Sequence, residues 1–190
     1  MSRYGIADFY NTATQYGFAR TNLFRINEIT NNIYIPDDSQ DLFLYMRTGI
    51  IPQRKISNQQ VNFKAFTYNI PMKAEYPESN GSWIVEFFCD SKYGLRDIFE
   101  KWSVGTYDEH SSTSQDALQW WNSDIQLSLL NNSSNESTQL TELTPVKNYT
   151  LKGAFPANLG SMNYKTEDKG EIASMQVSLG FQYLISETVS

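Results

Sequence analysis

Residues able to do chemistry are sparse in this chain of 190 residues. A Ser-His-Asp hydrolase needs an imidazole base. The only histidine, His110, sits in the polar run "YDEHSSTS" without a rigid element to hold it, where a solvated loop histidine is the simpler reading. Asp37, Asp38 and Asp41 are close enough in sequence to ligate calcium, but an acidic turn is much the simpler reading. With Cys89 as the only cysteine, neither an intrachain disulfide nor a zinc cluster can form. Cys89 reads as a small apolar residue of a buried strand. Glu86, on the same strand, must be paired or face water. No second acid lies near it in sequence to complete a catalytic pair. Gly49, Gly153 and Gly160 read as strand or turn glycines, not a phosphate loop. Trp83, Trp102, Trp120, Trp121 and the tyrosines could form a carbohydrate-binding surface, although Trp102 has core spacing. Adjacent residues of a strand face opposite ways, so one tryptophan of "QWWN" is a candidate for contact with a partner chain. No residue is assigned to catalysis, metal or cofactor, and the expectation is a non-enzyme.

The elements around these residues are mostly strands. Residues 4–16 carry Ile6, Phe9, Tyr10 and Ala13 at helical spacing, with Gly17 to end the helix. Strands are expected at about 21–29, in "LFLYMRTGII" up to Pro52, and in "QQVNFKAFTYNI", where Val61, Phe63 and Ala65 alternate with Gln60, Asn62 and Lys64. A turn at "PESNGS" leads into "SWIVEFFCD", apolar on both faces except at Glu86 and therefore central. The period then changes to 3.6: Leu95, Ile98, Phe99 and Trp102 form one stripe of a helix over 92–104. Ser91 is the expected N-cap, Gly105 the stop, and Asp97–Lys101 a pair on the wet side.

Residues 106–122 read as a loop. "SDIQLSLLN" puts Ile125, Leu127 and Leu129 on one face and Asp124, Gln126 and Ser128 on the other. "NSSNESTQLTELT" is a polar loop, and "KNYTLKGAF" turns Tyr149, Leu151 and Phe155 inward. In "SMQVSLGFQY", Ala173, Met175, Val177, Leu179, Phe181 and Tyr183 alternate with Ser174, Gln176, Ser178, Gly180 and Gln182, without one charge on either face. This reads as one long strand over about 171–184. The sum is mainly β: an antiparallel β-sandwich or barrel of seven or eight strands with one flanking α-helix and a short N-terminal helical arm. The expected organisation is a single domain over 1–190, with an arm over 1–17, the sandwich over 18–185 and a tail over 186–190.

Composition narrows the function. The aromatic fraction of 14% suits a folded strand-rich chain. The net charge is −6, and no Lys or Arg occurs between Lys101 and Lys147, a stretch holding Asp108, Glu109, Asp116, Asp124, Glu136 and Glu142. That balance makes a poor general binder of nucleic acid. No apolar run is long enough to span a membrane and no secretory leader is apparent, so synthesis in the cytoplasm is expected.

Two stretches, "FARTNLFRI" at 18–26 and "YTLKGAFPANLGSMNYKTEDKGEIASMQVSLGFQYL" at 149–184, resemble the tail-tube protein family of contractile-tailed, T-even-like bacteriophages. Between them the order also matches: "SWIVEFF" running into "LRDIFEKW", then a polar loop and "DIQLSLL". One departure is "EYPESNGS", where main tube proteins have a Gly-Asp-Arg type turn; another is the extra "ISETVS" at the end. The resemblance implies a virion protein: a homohexameric ring with a continuous inner β-barrel. Rings stack into the tube that conducts DNA, with sheath and baseplate proteins as partners and DNA passing non-specifically. A baseplate tube-initiator of the same fold is the alternative, and a carbohydrate-binding β-sandwich using Trp120 and Trp121 the second. Ser174, Gln176, Ser178, Gln182, Asp124, Gln126 and Ser128 are then candidates to face the channel. Phe18, Arg20, Asn22, Phe24, Trp120 and Trp121 are candidates for assembly contacts, as are the arm, a 67–82 hairpin and the 131–144 segment.

Overall fold

The computed structural model of the chain describes residues 5–16, 18–76, 82–111, 123–131, 143–162, 164 and 170–189. Its most regular unit is the one where the hydrophobic period changes. Strand β5 (Ser82–Phe88) runs into helix α2 (Gly94–Thr106), and both turn their apolar residues into one core. Trp83, Val85, Phe87, Leu95, Phe99 and Trp102 are all essentially inaccessible to solvent. Phe99 lies 5.5 Å from Phe87 and 6.1 Å from Trp102 between ring centroids. The N-cap position is Tyr93, not Ser91, and the side chain that accepts the capping hydrogen bonds is Asp90. The Asp90 carboxylate accepts hydrogen bonds from the backbone N–H of Lys92 (3.2 Å), Gly94 (3.0 Å) and Leu95 (3.2 Å). Tyr93 makes the turn in the left-handed region at φ 56°.

Nine strands are present among the described residues. β1 (Phe24–Thr30), β6 (Ser123–Leu130), β7 (Pro145–Leu159), β8 (Ser174–Gly180), β5 and β2 (Met46–Gly49) hydrogen-bond in that order, all antiparallel. β9 (Tyr183–Thr188) pairs with β7. The C-terminal stretch is thus a single partner of β7 with a kink. Phe155 faces Gly180 and Lys152 faces Tyr183 in one unbroken register, and only Phe181–Gln182 leave the ladder. The kink sits opposite Gly153, whose φ of +65° makes a bulge.

Two consequences depart from simple alternation. Beyond the bulge Ala154 and Pro156 are buried and Phe155 is not, its ring lying over Gly180. Beyond the kink Phe181 is buried but Tyr183 is exposed. The sheet therefore has two limbs that share β7: β1-β6-β7-β9 and β7-β8-β5-β2. Ile26, Ile29, Ile125, Leu127, Leu151, Met175, Val177 and Leu179 fill the space inside them together with α2. Strand pairing continues to Thr188, past the 185 boundary expected for the sandwich.

Other boundaries shift as well. The first strand begins at Phe24 rather than Thr21. The front of "LFLYMRTGII" belongs to a 3-10 helix, Asp37–Tyr45, and only Met46–Gly49 is strand. In β6 a register irregularity follows Leu129, so Leu130 is buried and Leu129 only half-buried. The run 59–70 is not one strand. β3 (Lys55–Phe63) and β4 (Phe66–Glu75) form a two-stranded hairpin turning at Lys64–Ala65, with Lys64 at φ 55°. Helix α1 (Ile6–Tyr16) begins near its expected place. The "PESNGS" turn, almost all of the 106–122 loop beyond Ser111, and residues 132–142 of the polar segment lie outside the described residues.

Candidate assembly surfaces

The chemistry-bearing residues do not converge. The bonds described around His110 belong to a turn: Asp108 accepts from the His110 backbone N–H at 2.9 Å and from the Ser111 hydroxyl at 2.7 Å. The Ser111 hydroxyl and the His110 N–H together hold the exposed Asp108 carboxyl below its usual value. Glu86 faces water on the outer side of β5. Arg47 pairs with it at 3.0 Å, and the Ser174 and Thr48 hydroxyls donate to it at 2.9 and 3.4 Å. No group of three His, Cys, Asp or Glu that could hold a metal occurs among the described residues. Burial raises the half-buried Cys89 thiol. No helix among those residues is long and apolar enough to cross a membrane.

What the fold does assemble are surfaces. The seven channel candidates fall on both limbs. On β8, Ser174, Gln176 and Ser178 face outward, and Gln182 sits exposed at the kink. A hollow of about 680 Å³ above this limb is walled by Tyr93, Ser161, Tyr164, Glu171 and Ile172, so residues of the chain itself stand over it. Asp124, Gln126 and Ser128 lie on the other limb, in a ladder that crosses its strands. Asn27 of β1 donates to Gln126 (3.0 Å) and Ser128 (2.5 Å), and Ser128 donates to Asn148 of β7 (2.6 Å). Lys152 of β7 pairs with Asp124 at 2.7 Å. Ser128, expected on the wet face, is 0% exposed because Asn27 and Asn148 close over it. The hydrogen bond that Lys152 donates to the Asp124 carboxylate raises the ammonium pKa against the opposing effect of burial.

The two outermost strands of that limb, β1 and β9, each pair on one side only among the described residues. Beside β1 a groove of about 510 Å³ separates it from β2, lined by Asn22, Phe24, Met46 and Gly49. Two assembly candidates, Asn22 and Phe24, therefore flank an open sheet edge. Arg20 is exposed, and Phe18 is exposed and rests on Phe9 of α1 at 6.3 Å between centroids. Trp120 and Trp121 lie outside the described residues.

The hairpin is the surface that the alternation alone did not reveal. Cross-strand partners share a face. Phe63 with Phe66, Val61 with Tyr68, and Gln59 with Ile70 make one face apolar, while Asn62 with Thr67 and Gln60 with Asn69 make the other polar and uncharged. Both faces are open: Phe63 and Phe66 are 61% and 67% exposed. The signal was in the sequence, as apolar alternation on both sides of Lys64. The turn between them has no Gly, Asn or Pro to mark it.

Two one-sided sheet edges, an arm and an amphipathic hairpin are thus the surfaces that the described residues present. The profile described as "Phage tail tube protein" matches residues 11–186. The chain belongs to the phage tail tube protein family. This makes it a structural protein of a phage-type tail. Solved structures with the same fold include chains of three contractile injection assemblies. A chain of the PVC sheath–tube complex in the extended state matches with TM-score 0.59 and 15% identity, over 94% of this chain and 97% of that one. A chain of the anti-feeding prophage tube-terminating cap gives 0.58 and 15%, over 90% and 92%. One from the anti-feeding prophage baseplate gives 0.52 and 14%, over 75% and 80%. No curated protein sequence matches the chain.

Proposed function

We propose that this tail tube protein closes into a homohexameric ring whose channel wall is the β1-β6-β7-β9 limb, and that rings stack into a tube through which DNA passes without sequence recognition. The observation that carries it is the limb itself, with an outer face that is polar apart from Tyr183 and Ile185 of β9, and, among the described residues, an open edge on each side. A heterologous contact between β1 of one copy and β9 of the next repeats until it closes, consuming edges that would otherwise invite aggregation. The other limb is a poorer wall, because Tyr93, Ser161, Tyr164, Glu171 and Ile172 stand over it. Ser174, Gln176 and Ser178 then face away from the channel, a choice the alternation pattern left open.

The arm and the hairpin project from the sheet and carry the exposed apolar residues, so they bridge to the neighbouring ring. The apolar face of Val61, Phe63, Phe66, Tyr68 and Ile70 packs on another copy. The uncharged face of Gln60, Asn62, Thr67 and Asn69 extends the wall. Charge supports this fit: Arg54, Lys55, Lys64 and Lys73 are opposed only by Glu75 on the hairpin, while the whole chain is at −6. In the virion the tube would lie inside a sheath and on a baseplate, as in the sheath–tube complex that shares its fold, and the chain would do no catalysis. The likeness to a baseplate chain favours one second reading, a ring that initiates the tube, which copy number per particle decides.

The test is cross-linking between edges. In a Cys89→Ala background, Glu28→Cys on β1 and Glu187→Cys on β9 should oxidise to a covalent ladder that stops at the hexamer. Electron microscopy should show rings and tubes. Purely monomeric protein at high concentration, or a ladder without an end, would overturn ring closure.

A further inference from the structure

We propose that Asp124 keeps Lys152 from gripping DNA, acting as a positioning residue that makes the channel wall slippery. The inference rests on the β1-β6-β7-β9 limb facing the channel. Lys152 projects from the outer face of β7, with Tyr183 of β9 opposite it on the same face. Left alone, its ammonium would meet the phosphate backbone, and one such lysine per subunit would put a ring of cations around the DNA at every layer of the tube. Each phosphate contact releases a counterion and strengthens with falling salt, so stacked rings of lysines would hold DNA fast.

The geometry denies that contact. The Asp124 carboxylate holds Nζ at 2.7 Å across the β6–β7 pair, and the two side chains are only 33% and 19% exposed. A half-buried pair is screened less by salt than a surface one, so the hold persists at physiological ionic strength. The surrounding groups reinforce it. Gln126, Ser128, Asn148 and Asn27 are uncharged and hydrogen-bonded to one another, and Arg25 of β1, opposite Ser128 on the same face, donates its Nε to Asn27 at 2.7 Å. Glu187, opposite Asn148, adds negative charge to the same face. Hydrogen bonding to Asp124, with the charges of Asp124 and Glu187, raises the Lys152 pKa above its ordinary 10.5 against the effect of burial; an amine of that ordinary value is a cation at physiological pH with Asp124 or without it.

The experiment uses assembled tubes and a short double-stranded DNA fragment, with retention measured against salt. Wild-type tubes should retain little DNA. Asp124→Asn tubes should retain it roughly tenfold more tightly at low salt and lose it as salt rises. Asp124→Asn combined with Lys152→Gln should return to wild type. Asn148→Lys, an unmasked cation on the same wall, separates the two readings. If Asn148→Lys tubes retain DNA but Asp124→Asn tubes do not, the mask is wrong and the channel reading stands. If neither does, the limb does not face the channel. Should Asp124→Asn fail to assemble, acylation of wild-type tubes still decides: Lys152 should be modified roughly tenfold more slowly than Lys147, because the ion pair disfavours the neutral amine. Equal rates would overturn the mask.

Discussion

Strand β5 and the β3–β4 hairpin are built from the same kinds of residue in the same alternating order, yet they end in opposite environments. Trp83, Val85 and Phe87 are 0–1% exposed beneath α2 and β8, whereas Phe63 and Phe66 stand in solvent. β5 has neighbours on both edges and a helix on its apolar face. Among the described residues the hairpin pairs only with itself. Alternation records that a face will be covered, but it does not say whether the cover comes from the same chain or from another copy.

That contrast can be broken first at its buried end. Phe99→Ala removes the ring that packs between Phe87 and Trp102, leaving a cavity no neighbour can fill. The expected loss is about 3–5 kcal/mol by denaturant unfolding. A loss under about 1 kcal/mol would mean the core of β5 and α2 is no tighter than the hairpin. Gly105→Ala is the next largest. Alanine gains up to about 1 kcal/mol of helix propensity, but its Cβ would stand 2.2 Å from the Tyr34 ring and hydroxyl. Overlap with an aromatic ring outweighs the propensity, for a net loss of about 1–2 kcal/mol. Unchanged or higher stability would show that Tyr34 swings away freely.

How far this was legible depended on whether the chain announces its turns. β5 and α2 were readable because the period changes from 2 to 3.6 and Leu95, Ile98, Phe99 and Trp102 fall on one stripe. The hairpin was not, because Lys64–Ala65 carries a left-handed residue without a turn residue's signature. Gly153 was visible as a strand glycine, but not the bulge that reverses facing after it, so Phe155 was assigned the wrong side. The C-terminal alternation was legible from Met175 to Leu179, but the strand starts at Ser174 instead of 171 and pairing runs on to Thr188 instead of 184, and the kink at Phe181–Gln182 depends on β7 and not on local sequence. The ion pair at Asp124 was out of reach, since Lys152 comes beside it only through the β6–β7 register.

A third and smaller effect lies at the start of α2. Burial pushes the Asp90 carboxyl up, but the N–H groups of Gly94, Leu95 and Lys92 together outweigh it and leave its pKa below the ordinary 3.8. A depressed folded-state pKa stabilises the fold above the unfolded value, and that contribution is lost as pH falls through the folded one. Asp90→Ala should therefore cost about 1 kcal/mol at neutral pH, with the difference from wild type shrinking below about pH 4. An undiminished difference in acid would assign the loss to packing instead of the cap.

The smallest change in stability goes with the largest in assembly. Replacing Phe63 and Phe66 by Ser removes one exposed cross-strand pair, so monomer unfolding should shift by less than about 1 kcal/mol. The apolar face this opens to water is the one argued to pack on a second copy, so sedimentation should show a protein that folds and no longer stacks into tubes. The double variant separates the two kinds of cover that alternation confuses. A destabilised monomer would mean the hairpin folds back on its own body, and stacking that survives would mean its apolar face meets nothing in the tube.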